Sequence, residues 1–182
     1  AGELDYFKIV DDKYADLLSQ KGIALKRSLE QGLSFIGFNH TRSPFSDRNI
    51  RLAMRYAVNQ VDYKNKALKT NQESANQFLP KNMFGRLELP FPDELSQDKI
   101  MALVNKSKYS KILKRKNYYL YKHAAYENPE EDRYLTSIFK KIGLNITVTT
   151  IPRDVFIKKW INKDYDIIYL KVIPDISDPD NF

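Results

Sequence analysis

Hydrophobic and polar positions along the chain alternate in short runs and helical stripes. "ELDYFKIV" at 3–10 reads as a strand, and "KYADLLSQKG" at 13–22 as a short helix closed by Gly22. Two extended runs follow, "IALKRSL" and "LSFIGFN". The second is apolar on both faces through Leu33, Phe35, Ile36 and Phe38, which predicts a central strand. Ser46 stands where it can cap the next helix, in which Ile50, Ala53, Met54, Ala57 and Val58 share one side. At about 100° per residue, Arg48, Arg51 and Arg55 fall on the opposite side, as a solvated outer face would. "VDYKNKAL" reads as a second, shorter helix, and residues 71–93, with Pro80, Pro90 and Pro92, as a long surface loop.

The last third has the clearest pattern. "NYYLYKHA" is a strand. Asn128-Pro129-Glu130-Glu131 then starts a helix, with an N-cap, proline at the first helical position and acids at the positive end of the dipole. Leu135, Ile138, Phe139 and Ile142 make its buried stripe, and Gly143 ends it. "LNITVTTI" alternates as a strand. Pro152 opens another helix, with Phe156, Ile157, Trp160 and Ile161 expected inward, and "YDIIYLKV" is a further strand. Strands joined by helices in this way lie parallel. The predicted class is α/β, a mixed sheet with parallel strands flanked by helices, forming one domain over residues 1–182. Ligands of open α/β sheets bind beyond the carboxyl ends of the strands. That places "IPDISDPDNF", with Asp175, Asp178 and Asp180, at the candidate functional face.

Charge adds a competing reading. The net charge is +7, and residues 99–126 carry eight Lys or Arg and no acid. The same stretch holds Tyr109, Tyr118, Tyr119, Tyr121 and Tyr126. Basic residues mixed with aromatics can bind single strands of nucleic acid, but a lysine-coated helix followed by a tyrosine-rich strand explains them too. A DNA-reading helix-turn-helix needs a second helix across a short turn, whereas the arginine helix follows a buried strand and a Ser-Pro turn. With zero cysteines, disulfides and thiolate metal sites are excluded. His40 and His123 have no second ligand at metal spacing, the three aspartates do not match an EF-hand, and no phosphate loop or nucleophile elbow occurs. No enzyme chemistry and no cofactor is expected. No apolar run reaches the roughly 20 residues of a membrane span. The first residues lack a signal-peptide pattern, and the absent initiator Met fits a mature or excised segment.

The order of several short motifs resembles a family, the extracytoplasmic solute-binding proteins of peptide-type ABC transporters (family 5). "GELD" at 2–5 is similar to the family's strand near the hinge. Phe38-Asn39, Pro44-Phe45, Asp47, Ile50-Arg51, Ala53 and Ala57-Val58-Asn59 follow in the family's spacing, although Gln60 stands where Arg or Lys is usual. "KIGLNITVTTI" and "DYDIIYLKVIPDISDPDNF" resemble its later helix end and strands. Val172 replaces a frequent tryptophan, and Lys108-Tyr109 a usual Gly-Tyr.

The resemblance implies a periplasmic-binding-protein-like fold of type II, of which this chain is the second lobe. Residues 1–10 would lie near the hinge, and both termini at one edge. It implies a peptide ligand, an ABC permease, a first lobe elsewhere in the same chain, a monomer, and a periplasmic or surface-anchored location. It further implies that Asp175 pairs with the ligand's α-amino group, since an ammonium leaving water needs a charged acceptor. Backbone groups of Lys171, Val172 and Ile173 would extend the strand onto the peptide. A different solute (a nickel complex, a sugar, an antimicrobial peptide), a sensor role and a nucleic-acid-binding domain are the alternatives.

Overall fold

The computed structural model describes residues 14–26, 32–68, 72–81, 83–91 and 93–173. The expected strand at 3–10, the end of "IALKRSL" and the placement of the termini lie outside them. Within them the chain runs α1 (Ala15–Gln20), β1 (Leu33–Phe38), α2 (Arg48–Ala57), α3 (Gln60–Asp62), α4 (Gln97–Lys106), β2 (Asn117–His123), α5 (Pro129–Lys141), β3 (Asn145–Ile151), α6 (Arg153–Ile161) and β4 (Ile167–Val172). Residues 23–26 carry no regular structure, against the strand expected there. The loop expected at 71–93 is loop wherever it is described.

The strand order is β1-β4-β2-β3. β2 runs parallel to β3 from Asn117↔Asn145 to His123↔Ile151, and parallel to β4 at Leu120↔Ile167 and Tyr121↔Ile168. β1 runs antiparallel to β4 from Leu33↔Val172 to Phe38↔Ile167. The sheet is therefore mixed, with its parallel part made by the three strands expected. Among the described strands β1 is outermost, and the strand expected at 3–10 lies outside them. Both apolar faces of β1 are packed. Phe38 stacks on Phe45 of the following turn, with ring centroids 5.9 Å apart, and Phe35 meets Phe78 of the long loop at 5.0 Å.

The core lies on one face of the sheet. Tyr118 and Leu120 of β2, Ile146 of β3, and Ile167 and Tyr169 of β4 pack with Ile50 and Met54 of α2, Ile100 and Val104 of α4, and Leu135 and Phe139 of α5. Each such side chain contributes roughly 1.5–3 kcal/mol by leaving water. That exceeds the sub-kcal spread of helix propensities, so packing fixes these helices. Gly143 closes α5 at φ +87°, a conformation costly for any residue with a side chain. α6 covers the other face, where Phe156 meets the His123 ring at 6.2 Å and Lys159 lies 4.5 Å over Tyr121.

Several local expectations are corrected. Asp47, not Ser46, caps α2, its carboxylate accepting from the Asn49 amide at 2.8 Å. Pro44 and Phe45 sink into the core and push the helix start one residue on, leaving the Ser46 hydroxyl beside that of Tyr109. Arg51 does not share the outer face with Arg48 and Arg55, because its guanidinium turns back to donate to the Phe45 carbonyl at 2.6 Å. The second helix starts as α3 on an Asn59 cap and widens into a π-helical turn, Tyr63–Leu68. In α6 only Phe156 is buried; Trp160 and Ile161 are exposed, since the helix meets the sheet along one narrow line.

Candidate functional site

β4 changes neighbours along its length. At Ile167 and Ile168 it is paired on both sides, with β1 and with β2. Past Ile168 the ladder with β1 continues to Val172, but among the described residues none pairs with β4 on its β2 side. β2 meanwhile stays with β3 to His123. The two parallel strands thus part at their carboxyl ends, with one edge of the backbone from Tyr169 to Val172 turned to the gap. This is also where the antiparallel and parallel parts of the sheet meet, the kind of place at which open α/β sheets hold ligands. Gly32 lets β1 approach this end closely: a Cβ there would stand 3.3 Å from both the Val172 carbonyl and the Ile173 side chain.

Beneath the gap lies a buried charge network. The Lys122 side chain is 0% exposed, and its ammonium donates to Glu131 at 2.6 Å and Asp132 at 2.7 Å. Period-two alternation puts Lys122 on the same face as Tyr118 and Leu120. Asn128 accepts from the Glu130 and Glu131 amides at 3.1 and 3.2 Å, starting α5 so that both acids face β2 from its first turn. Tyr63 donates its hydroxyl to the second Glu131 oxygen, and Lys122 lies 5.2 Å over the Tyr169 ring. Burial alone would lower the lysine's pKa, yet the bonds to Asp132 and Glu131 outweigh it and hold the ammonium above its usual range. Burial, followed by the Glu131 charge, pushes the Tyr63 and Tyr169 hydroxyls up, so both stay protonated. Tyr126 closes the side of the gap, its ring 6.1 Å from that of Tyr169.

Of the residues singled out in the sequence, Lys171 and Val172 end β4 and are half-buried, and Ile173, just beyond, is 48% exposed. Asp175, with Asp178 and Asp180, lies outside the described residues. The Lys122 network was not foreseen, although its signal was present: a lysine at an inward position of an alternating strand, with acids opening the next helix. Among the described residues there is no cluster of three His, Cys, Asp or Glu side chains that could hold a metal.

A family model described as "Bacterial extracellular solute-binding proteins, family 5 Middle" matches residues 1–182. No curated protein sequence matches the chain. Among solved structures, the ABC transporter-associated periplasmic binding protein DppA from Helicobacter pylori, in complex with the peptide STSA, superposes with a TM-score of 0.77 at 20% identity, covering 93% of this chain and 33% of that one. The dipeptide binding protein of Pseudoalteromonas sp. SM9913, in complex with Met-Leu, gives 0.77 at 20% identity, with 93% and 34% covered. The murein tripeptide binding protein MppA of Escherichia coli gives 0.75 at 21%, with 94% and 35% covered. The chain thus spans about a third of the length of these proteins and shares the fold of that part. Matched from end to end, the chain belongs to the bacterial extracellular solute-binding proteins of family 5, which are binding proteins and not enzymes.

Proposed function

We propose that this chain is a ligand-binding lobe of an ABC-transporter substrate-binding protein that captures peptides outside the cytoplasm and passes them to a membrane permease. One observation carries the reading: among the described residues the β2 ladder leaves β4 after Ile168, while β1 follows it to Val172, at the carboxyl ends of the parallel strands. An extended peptide laid along Lys171, Val172 and Ile173 would continue the sheet. Main-chain hydrogen bonds then give affinity with little demand on side chains. Asp175, three residues past the end of β4, would accept the peptide's α-amino group. The first lobe, from elsewhere in the same polypeptide, would close over the ligand, in a protein that is periplasmic or held at the cell surface and works as a monomer. The three proteins compared above, two of them with peptide bound, support this choice of ligand.

Calorimetric titration of the complete protein with short peptides, free and N-acetylated, tests the proposal. Heat from free peptides that disappears on acetylation, and in the Asp175→Ala variant, is the expected result. Equal heats from both pools would keep peptide capture and remove Asp175 from its role. Silence with both pools would overturn the peptide reading and turn attention to nickel complexes, sugars or antimicrobial peptides.

A further inference from the structure

The base of the molecule, opposite the β4 gap, carries a second surface. The turn that leads into β2 holds Lys111, Lys114, Arg115 and Lys116, all exposed. Lys140 and Lys141, also exposed, end α5 just before β3. These two segments meet. The Asn145 side chain donates through Nδ2 to the Lys114 carbonyl at 3.1 Å, and the Lys114 side chain lies 3.3 Å from where a Cβ on Gly143 would stand. Among the described residues, none of the six cations has a carboxylate within 4 Å. Asp47, near Lys108, is committed to the Asn49 amide and the Ser107 hydroxyl. Ile112, 41% exposed, projects from the middle of this basic turn.

We propose that this basic pole docks on an anionic lipid bilayer. Charge complementarity favours a surface of negative headgroups, to which each nearby Lys or Arg adds attraction. An exposed aliphatic side chain set among the cations can enter the headgroup region, as apolar residues of interfacial segments do. A single strand of nucleic acid would also attract the cations but needs aromatic platforms for its bases. Four of the five tyrosines of this stretch are committed elsewhere: Tyr118 is 1% exposed, Tyr109 bonds Ser46, Tyr121 lies beneath Lys159, and Tyr126 packs on Tyr169. Tyr119 is 43% exposed but stacks on Tyr121, and offers one platform rather than a series. Docked by this pole, the molecule would keep the carboxyl ends of its parallel strands turned away from the bilayer.

Co-sedimentation of the complete protein, without lipid modification, on vesicles of phosphatidylglycerol with phosphatidylcholine tests the proposal against phosphatidylcholine vesicles alone. Binding to the anionic vesicles only, lost in high salt, is expected. Lys111→Glu/Lys114→Glu/Arg115→Glu should weaken it by at least roughly a hundredfold, at about fivefold per cation lost from the surface. Arg55→Glu/Lys66→Glu/Arg133→Glu, the same change in net charge away from the pole, should leave it within a few-fold. Circular dichroism of all variants should match the wild type. Equal loss in both triple variants would reduce the effect to overall charge and overturn the proposal. So would indifference to phosphatidylglycerol, or tighter retention on single-stranded oligonucleotide than on anionic vesicles.

Discussion

Lys122 shows what a single residue contributes once its surroundings are known. Its ammonium is out of water and held by two carboxylates, of which Glu131 is itself 2% exposed. Removing one partner of such a buried pair leaves the other charge uncompensated and costs about 3–5 kcal/mol, whereas neutralising both costs far less. Lys122→Met should therefore speed hydrogen exchange at the β2 and α5 amides of the complete protein by more than two orders of magnitude. Lys122→Met/Glu131→Gln should recover most of that protection; a double variant as labile as the single one would show that the pair is not the source. The same residues set an alkaline limit. A lysine whose folded pKa is raised stabilises fully below the unfolded value of 10.5, and that contribution is lost as pH rises through the folded pKa. Tyr63 and Tyr169, also raised, lose theirs in the same direction once the unfolded phenols ionise above 10.0. Stability should thus be flat through neutral pH and fall steeply above about 10. Composition alone counted Lys122 with a solvated basic stretch, because a charge tally has no geometry. Period two, applied to Tyr118, Leu120 and Lys122, is the signal that places it inside.

Elements were legible where a side-chain pattern and a local stop signal agreed. α5 has its Asn128 cap, Pro129, a buried stripe and Gly143 at the expected places, because each acts within one turn of the chain. The start of α2 was misplaced by one residue because tertiary contacts decide it: burying Phe45 draws the turn inward, and the cap passes to Asp47. Asp47→Ala should cost about 1 kcal/mol as a lost cap, read as a lower denaturation midpoint with an unchanged slope. Ser46→Ala should leave the midpoint within about 0.5 kcal/mol, as surface changes usually do. Burial raises the Asp47 pKa, but the bonds from Ser107 and Asn49 win and hold it below the ordinary value of 3.8. That stabilisation is present above 3.8 and is lost as pH falls through the lower, folded value. α6 was misread for the opposite reason. Its apolar residues suggested an inward face, but the helix meets its face of the sheet with Phe156 as its one buried anchor. For β1, apolar residues on both faces record burial without recording neighbours, and among the described strands it has one, β4.

At the scale of the whole molecule, the sheet is asymmetric along β4. Its first residues are locked between β1 and β2, while past Ile168 the strand ladder continues with β1 and not with β2. Crossover rules made the parallel strands and their carboxyl-end face legible in the sequence. The point at which β2 and β4 part was not, because it depends on how far each pairing extends. If a peptide completes the sheet there, binding should change backbone protection in a defined stretch. In the complete protein, short peptides should slow hydrogen exchange across Tyr169–Ile173 at those amides that β1 leaves unpaired, where antiparallel pairing takes every second N–H. Ile167 and Ile168, already within the ladder on both sides, should change little, and the amides of α4 and α5 at the base should not change. Alternating protection would mark a strand added along β4. Uniform slowing over both lobes would indicate closure without strand addition and would remove Lys171, Val172 and Ile173 from the ligand contact while leaving solute capture intact.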